Sequence, residues 1–103
     1  MAEAIDYMRE NLAESLSLDD IASVVNRSPS HFARQFRGSL GIPPHQYLVV
    51  LRLKMAQHLL EHSRESIAEI AFECGFSHQE HLTRMFRRWC ETTPAAYRRA
   101  IRN

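Results

Sequence analysis

Residues 66–86 read SIAEIAFECGFSHQEHLTRMF, and residues 17–36 read SLDDIASVVNRSPSHFARQF. Each stretch spells a short helix, a tight turn and a second, capped helix. In the later stretch Ser66 and Glu69 have the spacing of a capping box, which satisfies two orphan amides at a helix start. Ser77 and Glu80 repeat that spacing and predict a second start. Gly75 lies between them, where a left-handed residue lets the chain leave one helix and reverse. In the earlier stretch Ser17 is the predicted N-cap, with Asp19 and Asp20 in the first turn. Asn26 takes the place of the glycine and is the next most tolerant residue for that conformation. Ser28-Pro29 then reads as N-cap and first-turn proline.

The two stretches are copies. Phe36, Pro44 and Tyr47 recur as Phe86, Pro94 and Tyr97, each 50 residues later. His31, Arg34 and Arg37 recur as His81, Arg84 and Arg87 in the same register. Upstream, Ile21-Ala22 recurs as Ile70-Ala71 and Ser28 as Ser77, at an offset of 49. One extra residue after Ser77 accounts for the change. A generic helical hairpin shares a glycine and a cap, but not matching aromatic and arginine positions in two copies. The pattern is that of a helix-turn-helix repeated.

Outward from the repeat, everything else reads as helix. The expectation is an all-α chain of seven helices. The first runs from Ala2 to Ala13, with Ile5, Met8 and Leu12 on one stripe. A second covers Leu18 to Val25, and a third carries Phe32 and Phe36 and stops before Gly41. Pro43-Pro44 open a long fourth helix to about His62. The fifth and sixth belong to the second copy, and Thr93-Pro94 start a seventh that holds Tyr97. The predicted organisation is a first helix-turn-helix subdomain over 1–42, a linking helix over 43–62 and a second subdomain over 63–103. A central helix of some 18–20 residues is roughly 30 Å long at 1.5 Å per residue, close to the roughly 34 Å turn of B-DNA. It would let one chain address two successive segments of the major groove.

Composition narrows the class. The 103 residues are 45% hydrophobic, enough for a folded domain. No apolar run approaches a membrane span, and no signal peptide opens the chain, so a soluble intracellular protein is expected. Net charge is only +1, yet the charge is segregated. Residues 1–26 carry −5, residues 27–37 carry +3 with no acid, residues 38–83 carry −2, and residues 84–103 carry +5. Twelve of the 13 basic residues are arginine, the side chain suited to bidentate contact with phosphate and guanine.

Other chemistries find little support. Cys74 and Cys90 form no C-x-x-C motif and read as small hydrophobes. His58 and His62 are four apart on one helix, and Cys74, His78 and His81 cluster in sequence. A fixed third ligand and a general base are missing from both groups. No phosphate-binding glycine loop or nucleophile elbow is present. No metal, cofactor or enzymatic activity is therefore expected. A helical protein-interaction module would fold the same way but would not need exposed arginines at Arg34 and Arg84.

The sequence resembles the DNA-binding domain of the AraC/XylS family. The residues that carry the resemblance are Ile21-Ala22, Ser28 to Phe36, Gly41 to Pro44 with Tyr47, Arg52-Leu53 with Ala56 and Leu59-Leu60, Ile67 to Phe86, and Pro94, Tyr97 and Arg98. The resemblance implies two homeodomain-like helix-turn-helix units in a cytoplasmic bacterial transcription regulator, often an activator. It also implies promoter DNA as partner, contact with RNA polymerase, and an N-terminal sensor domain outside this sequence. One departure stands out. The family's second copy has glycine five residues after its phenylalanine, as Gly41 follows Phe36; here that place is Glu91. A left-handed non-glycine residue costs about 1 kcal/mol, so the path from Cys90 to Thr93 is expected to differ.

Residues near the start of a recognition helix face base edges. In the first copy these are Ser30, His31, Ala33 and Arg34; in the second, Gln79, Glu80, His81, Thr83 and Arg84. Arginine pairs with guanine and glutamine with adenine. Glu80 either accepts from cytosine or serves only as the capping acid of Ser77. Arg37, Arg87 and Arg88 lie further along and are expected on phosphates. Arg52, apart from both helices, is expected to act structurally as partner to an acid.

Overall fold

A computed structural model describes residues 1–102. Among these residues there are seven helices and no strand: α1 (Ala2–Glu10), α2 (Leu18–Val24), α3 (Pro29–Leu40), α4 (Pro44–His62), α5 (Ile67–Glu73), α6 (Gln79–Cys90) and α7 (Pro94–Arg102). The all-α expectation is borne out. No helix is long and apolar enough to cross a membrane among the described residues. The chain divides into two compact units, Met1–Val49 and Val50–Asn103, and the division falls inside α4.

The first unit is built around Ala4, Met8, Ile21, Ala22, Phe32, Phe36, Leu48 and Val49, all buried. Phe36 meets Tyr47 edge-on, with ring centroids 5.4 Å apart. α1 ends at Glu10, three residues before the expected Ala13, because Asn11 turns out of the helix. Its side-chain Nδ2 donates to the Tyr7 carbonyl at 2.8 Å and closes the last turn. Ser17 and Asp20 form a reciprocal capping box. The two hydrogen bonds from Ser17 hold the Asp20 carboxyl below the usual carboxylate range.

The second unit repeats the plan. Leu51, Leu53, Ala56, Leu60, Ile70, Ala71, Cys74, Phe76, Leu82 and Phe86 are buried. Phe86 meets Tyr97 edge-on at 5.4 Å, the counterpart of the Phe36–Tyr47 contact. Arg52 is buried in this core near Cys74, and burial lowers its pKa. Burial also pushes the Cys74 thiol up to about 12, so it behaves as a small hydrophobe. Removing one ring from such a core, as in Phe86→Ala, costs about 3–5 kcal/mol.

The basic C-terminal segment is partly committed to the fold. The Arg98 guanidinium donates to the carbonyls of Glu65 (2.6 Å), Leu60 (3.2 Å), Ser63 (3.3 Å) and Leu59 (3.5 Å). Arg102 donates to the Ser63 carbonyl and to that of Leu60. These acceptors are the last carbonyls of α4 and the turn after it. Leu59 and Leu60 lie in the last turn of α4, at the negative end of the helix dipole, and the Leu59 carbonyl also accepts the Ser63 amide at 2.9 Å. Two of the six arginines in 84–103 thus close a helix inside the second unit.

Candidate nucleic-acid interface

The turn before each recognition helix is built by the same backbone device. In the first unit the Asn26 amide donates to Ser23 and the Arg27 amide to Ala22, at 3.1 Å each. In the second, Gly75 donates to Phe72 at 3.2 Å and Phe76 to Ala71 at 3.0 Å. Both are Schellman closures, which need a left-handed residue after the helix. Asn26 (φ 54°) and Gly75 (φ 89°) supply it.

Beyond the turn the units differ by one residue. Ser28 caps α3, its Oγ accepting from the His31 amide at 3.3 Å. α6 is capped by His78, not by Ser77: the Nδ1 of His78 accepts from the His81 amide at 3.2 Å. The expected Ser77–Glu80 capping box does not form. Arg27 leads directly into the cap, whereas Ser77 is inserted between Phe76 and His78, so the caps stand 50 residues apart. Glu80 consequently sits at the second helical position, one short of the place from which an acid reaches back to the cap. Its exposed carboxylate has no hydrogen-bond or ion-pair partner among the described residues.

Glu91 corrects a second expectation. It adopts the left-handed conformation (φ 59°, ψ 21°), and its amide donates to Arg87 at 3.0 Å. Gly41 ends α3 in the same way, with φ 85° and a 2.8 Å bond to Arg37. Both recognition helices therefore end in the same left-handed turn, at Glu91 despite its backbone cost.

On α6, Gln79, Glu80, Thr83, Arg84 and Arg87 line one shallow open cleft. Spacings of three and four place them on a common stripe, opposite the buried Leu82 and Phe86. Arg88 is exposed beside this stripe. On α3, Ser30, Arg34 and Arg37 are exposed at equivalent positions with Ala33 half-buried beside them, while Phe32 and Phe36 face inward. The two histidines lie off these stripes. His81 is half-buried on the turn side, its ring edge-on to Phe76 at 5.2 Å and its Nδ1 3.5 Å from the Ser77 hydroxyl. His31 lies on the flank of α3 with Arg27, Ser28 and Gln35. Arg27 and Gln35 were not singled out from the sequence, because neither lies on the repeated stripe.

Comparison with known proteins places this geometry. The family model for a helix-turn-helix domain matches residues 21–100. The transcriptional activator RhaS of Enterobacter sp. (strain 638) is 36% identical over 92 residues, 89% of this chain and 33% of the relative. RhaS of Klebsiella pneumoniae (strain 342) is 33% identical over the same length. The chain thus spans about a third of these curated relatives. Among solved structures, the DNA-binding domain of the global transcriptional factor AdpA, in complex with a target DNA, aligns with a TM-score of 0.94 and 39% identity. That alignment covers 98% of this chain and 91% of that one. An AraC-type regulator from Chromobacterium violaceum aligns with a TM-score of 0.91 and 37% identity, over 97% and 89% of the two chains. With its paired Schellman turns and capped, arginine-bearing second helices, this chain belongs to the AraC/XylS-type family of helix-turn-helix DNA-binding domains.

Proposed function

We propose that the domain serves a bacterial transcription activator and that both α3 and α6 read base edges in the major groove. The observation that carries this reading is the recurrence of an exposed arginine, Arg34 and Arg84, on the second turn of each capped recognition helix. Ser30, Ala33 and Arg34 would read one block of sequence, and Gln79, Glu80, Thr83 and Arg84 the other. Arginine takes guanine, glutamine takes adenine, and the carboxylate of Glu80, relieved of capping, accepts from cytosine. His81 contributes from the turn side, while His31 lies off the stripe on the flank of α3. Arg37, Arg87 and Arg88 hold phosphates and set register without reading sequence. The activator role, contact with RNA polymerase, a sensor domain elsewhere in the full protein and a cytoplasmic setting draw support from the relatives named as transcriptional activators.

The direct test is a mobility shift over a salt series with promoter fragments. Binding should weaken steeply as salt rises, because phosphate contacts release counterions. Absence of any shift at low salt overturns the reading.

A further inference from the structure

The flank of α3 carries a second polar feature that base reading does not use. Asn26, Arg27, Ser28, His31 and Gln35 line a notch beside the helix N-terminus. The Schellman turn at Asn26 carries the chain past the end of α2 and sets Arg27 directly before the Ser28 cap. His31 and Gln35 are one helical turn apart and so share a flank. The side chains of Arg27, His31 and Gln35 are all exposed and make no hydrogen bond or ion pair among the described residues. No acid occurs between residues 27 and 37. Three donors of different reach therefore converge at one edge of the helix, with a fixed positive charge and no acid on α3 itself; Glu3 of α1 lines the adjoining cavity that Asn26 and Arg27 also border.

The second unit lacks the side chains that make this notch. Phe76, buried against its own core, stands where Arg27 stands, and Met85 replaces Gln35. The contrast reverses at the far end of the recognition helices. There the second unit has the exposed Arg88, whereas the first has Gly38, around which an added Cβ would meet nothing within 4 Å.

We propose that the Arg27–His31–Gln35 notch seats one backbone phosphate of the bound DNA. The first unit is then held on the duplex from its turn side as well as through Arg37, and the second through Arg87 and Arg88 from the C-terminal half of α6. The guanidinium supplies the charge-assisted contact, and the amide and imidazole N–H groups complete the cradle. This assignment rests on the DNA-binding reading above.

The test compares the wild-type chain with Arg27→Gln and Gln35→Met by fluorescence anisotropy. A cognate and a random duplex are titrated at several salt concentrations, and thermal midpoints are recorded. Arg27→Gln should weaken both duplexes equally, by about ten-fold, as expected for one charge-assisted hydrogen bond. It should also reduce the slope of log K against log salt by about 0.9, the signature of one lost phosphate. Gln35→Met should weaken both duplexes by about five-fold with the slope unchanged, since a neutral donor releases no counterion. Neither variant should move the thermal midpoint. An unchanged slope for Arg27→Gln, or a loss confined to the cognate duplex, overturns the assignment. Failure of the wild type to bind either duplex would instead overturn the DNA-binding reading.

Discussion

Glu91→Gly should stabilise the second unit. Glu91 holds φ 59° and ψ 21° to let its amide close α6 on Arg87. A left-handed conformation costs a non-glycine residue about 1 kcal/mol more than glycine. Its carboxylate also stands at the negative end of the helix dipole, an unfavourable contact of about 0.3–1 kcal/mol at low salt. Glycine removes both costs, for a gain of about 1–2 kcal/mol. A change of 1 kcal/mol moves the midpoint of a small domain by roughly 4–8 °C. Glu91→Gln separates the two contributions: it removes the charge, keeps the backbone strain, and should give only the smaller gain, which added salt then erases. Gly41→Ala is the reciprocal change in the first unit. An added Cβ there meets no atom within 4 Å, so its loss of about 1 kcal/mol reports the φ of 85° alone. Thermal and urea denaturation followed by circular dichroism reads all three. If Glu91→Gly is no more stable than Glu91→Gln, the backbone argument is wrong.

Three further outcomes are expected. Arg84→Ala should cost about 1–3 kcal/mol on a cognate duplex and relax base preference, whereas Arg88→Ala should weaken cognate and random duplexes alike and flatten the salt slope; competition titrations distinguish the two. The Glu61 carboxylate accepts the Tyr97 hydroxyl at 2.5 Å and pushes that phenol up to about 12, from an ordinary value near 10. A raised folded pKa contributes stability below pH ~10 that is lost as pH rises toward 12, so Tyr97→Phe should flatten the alkaline arm of a stability–pH curve over that interval. With its thiol buried and pushed up to about 12, Cys74 should resist alkylation at pH 8 in the folded chain; mass spectrometry should find it labelled only after denaturant is added, and labelling under native conditions would contradict the burial.

Much of the fold is legible in the sequence because its signals are local. Ser66 and Glu69 sit three apart and form the box that spacing predicts. Gly75 and Asn26 both take the left-handed turn. The α6 cap departs from its expected place for an equally local reason: Ser77 and Glu80 also sit three apart, and nothing nearby reveals that an inserted residue moves the start to His78. Glu91 is illegible from the other side, since a residue poorly suited to the left-handed turn takes it all the same. The same holds for Arg98 and Arg102. Their acceptors are backbone carbonyls of α4 and the turn after it, more than 30 positions away, and carbonyls leave no mark on a sequence. The exposed stripes of α3 and α6 are legible through the repeat, and the Arg27 notch is not, because Phe76 and Met85 stand at the positions of Arg27 and Gln35 in the second copy.

The central claim is that each unit reads its own block of bases, and selection of bound duplexes from a random library tests it most directly. The wild-type chain should enrich two short conserved blocks. Arg34→Ala should relax one block and leave the other, and Arg84→Ala should do the reverse. A single enriched block, or loss of the same positions with both variants, would contradict the account.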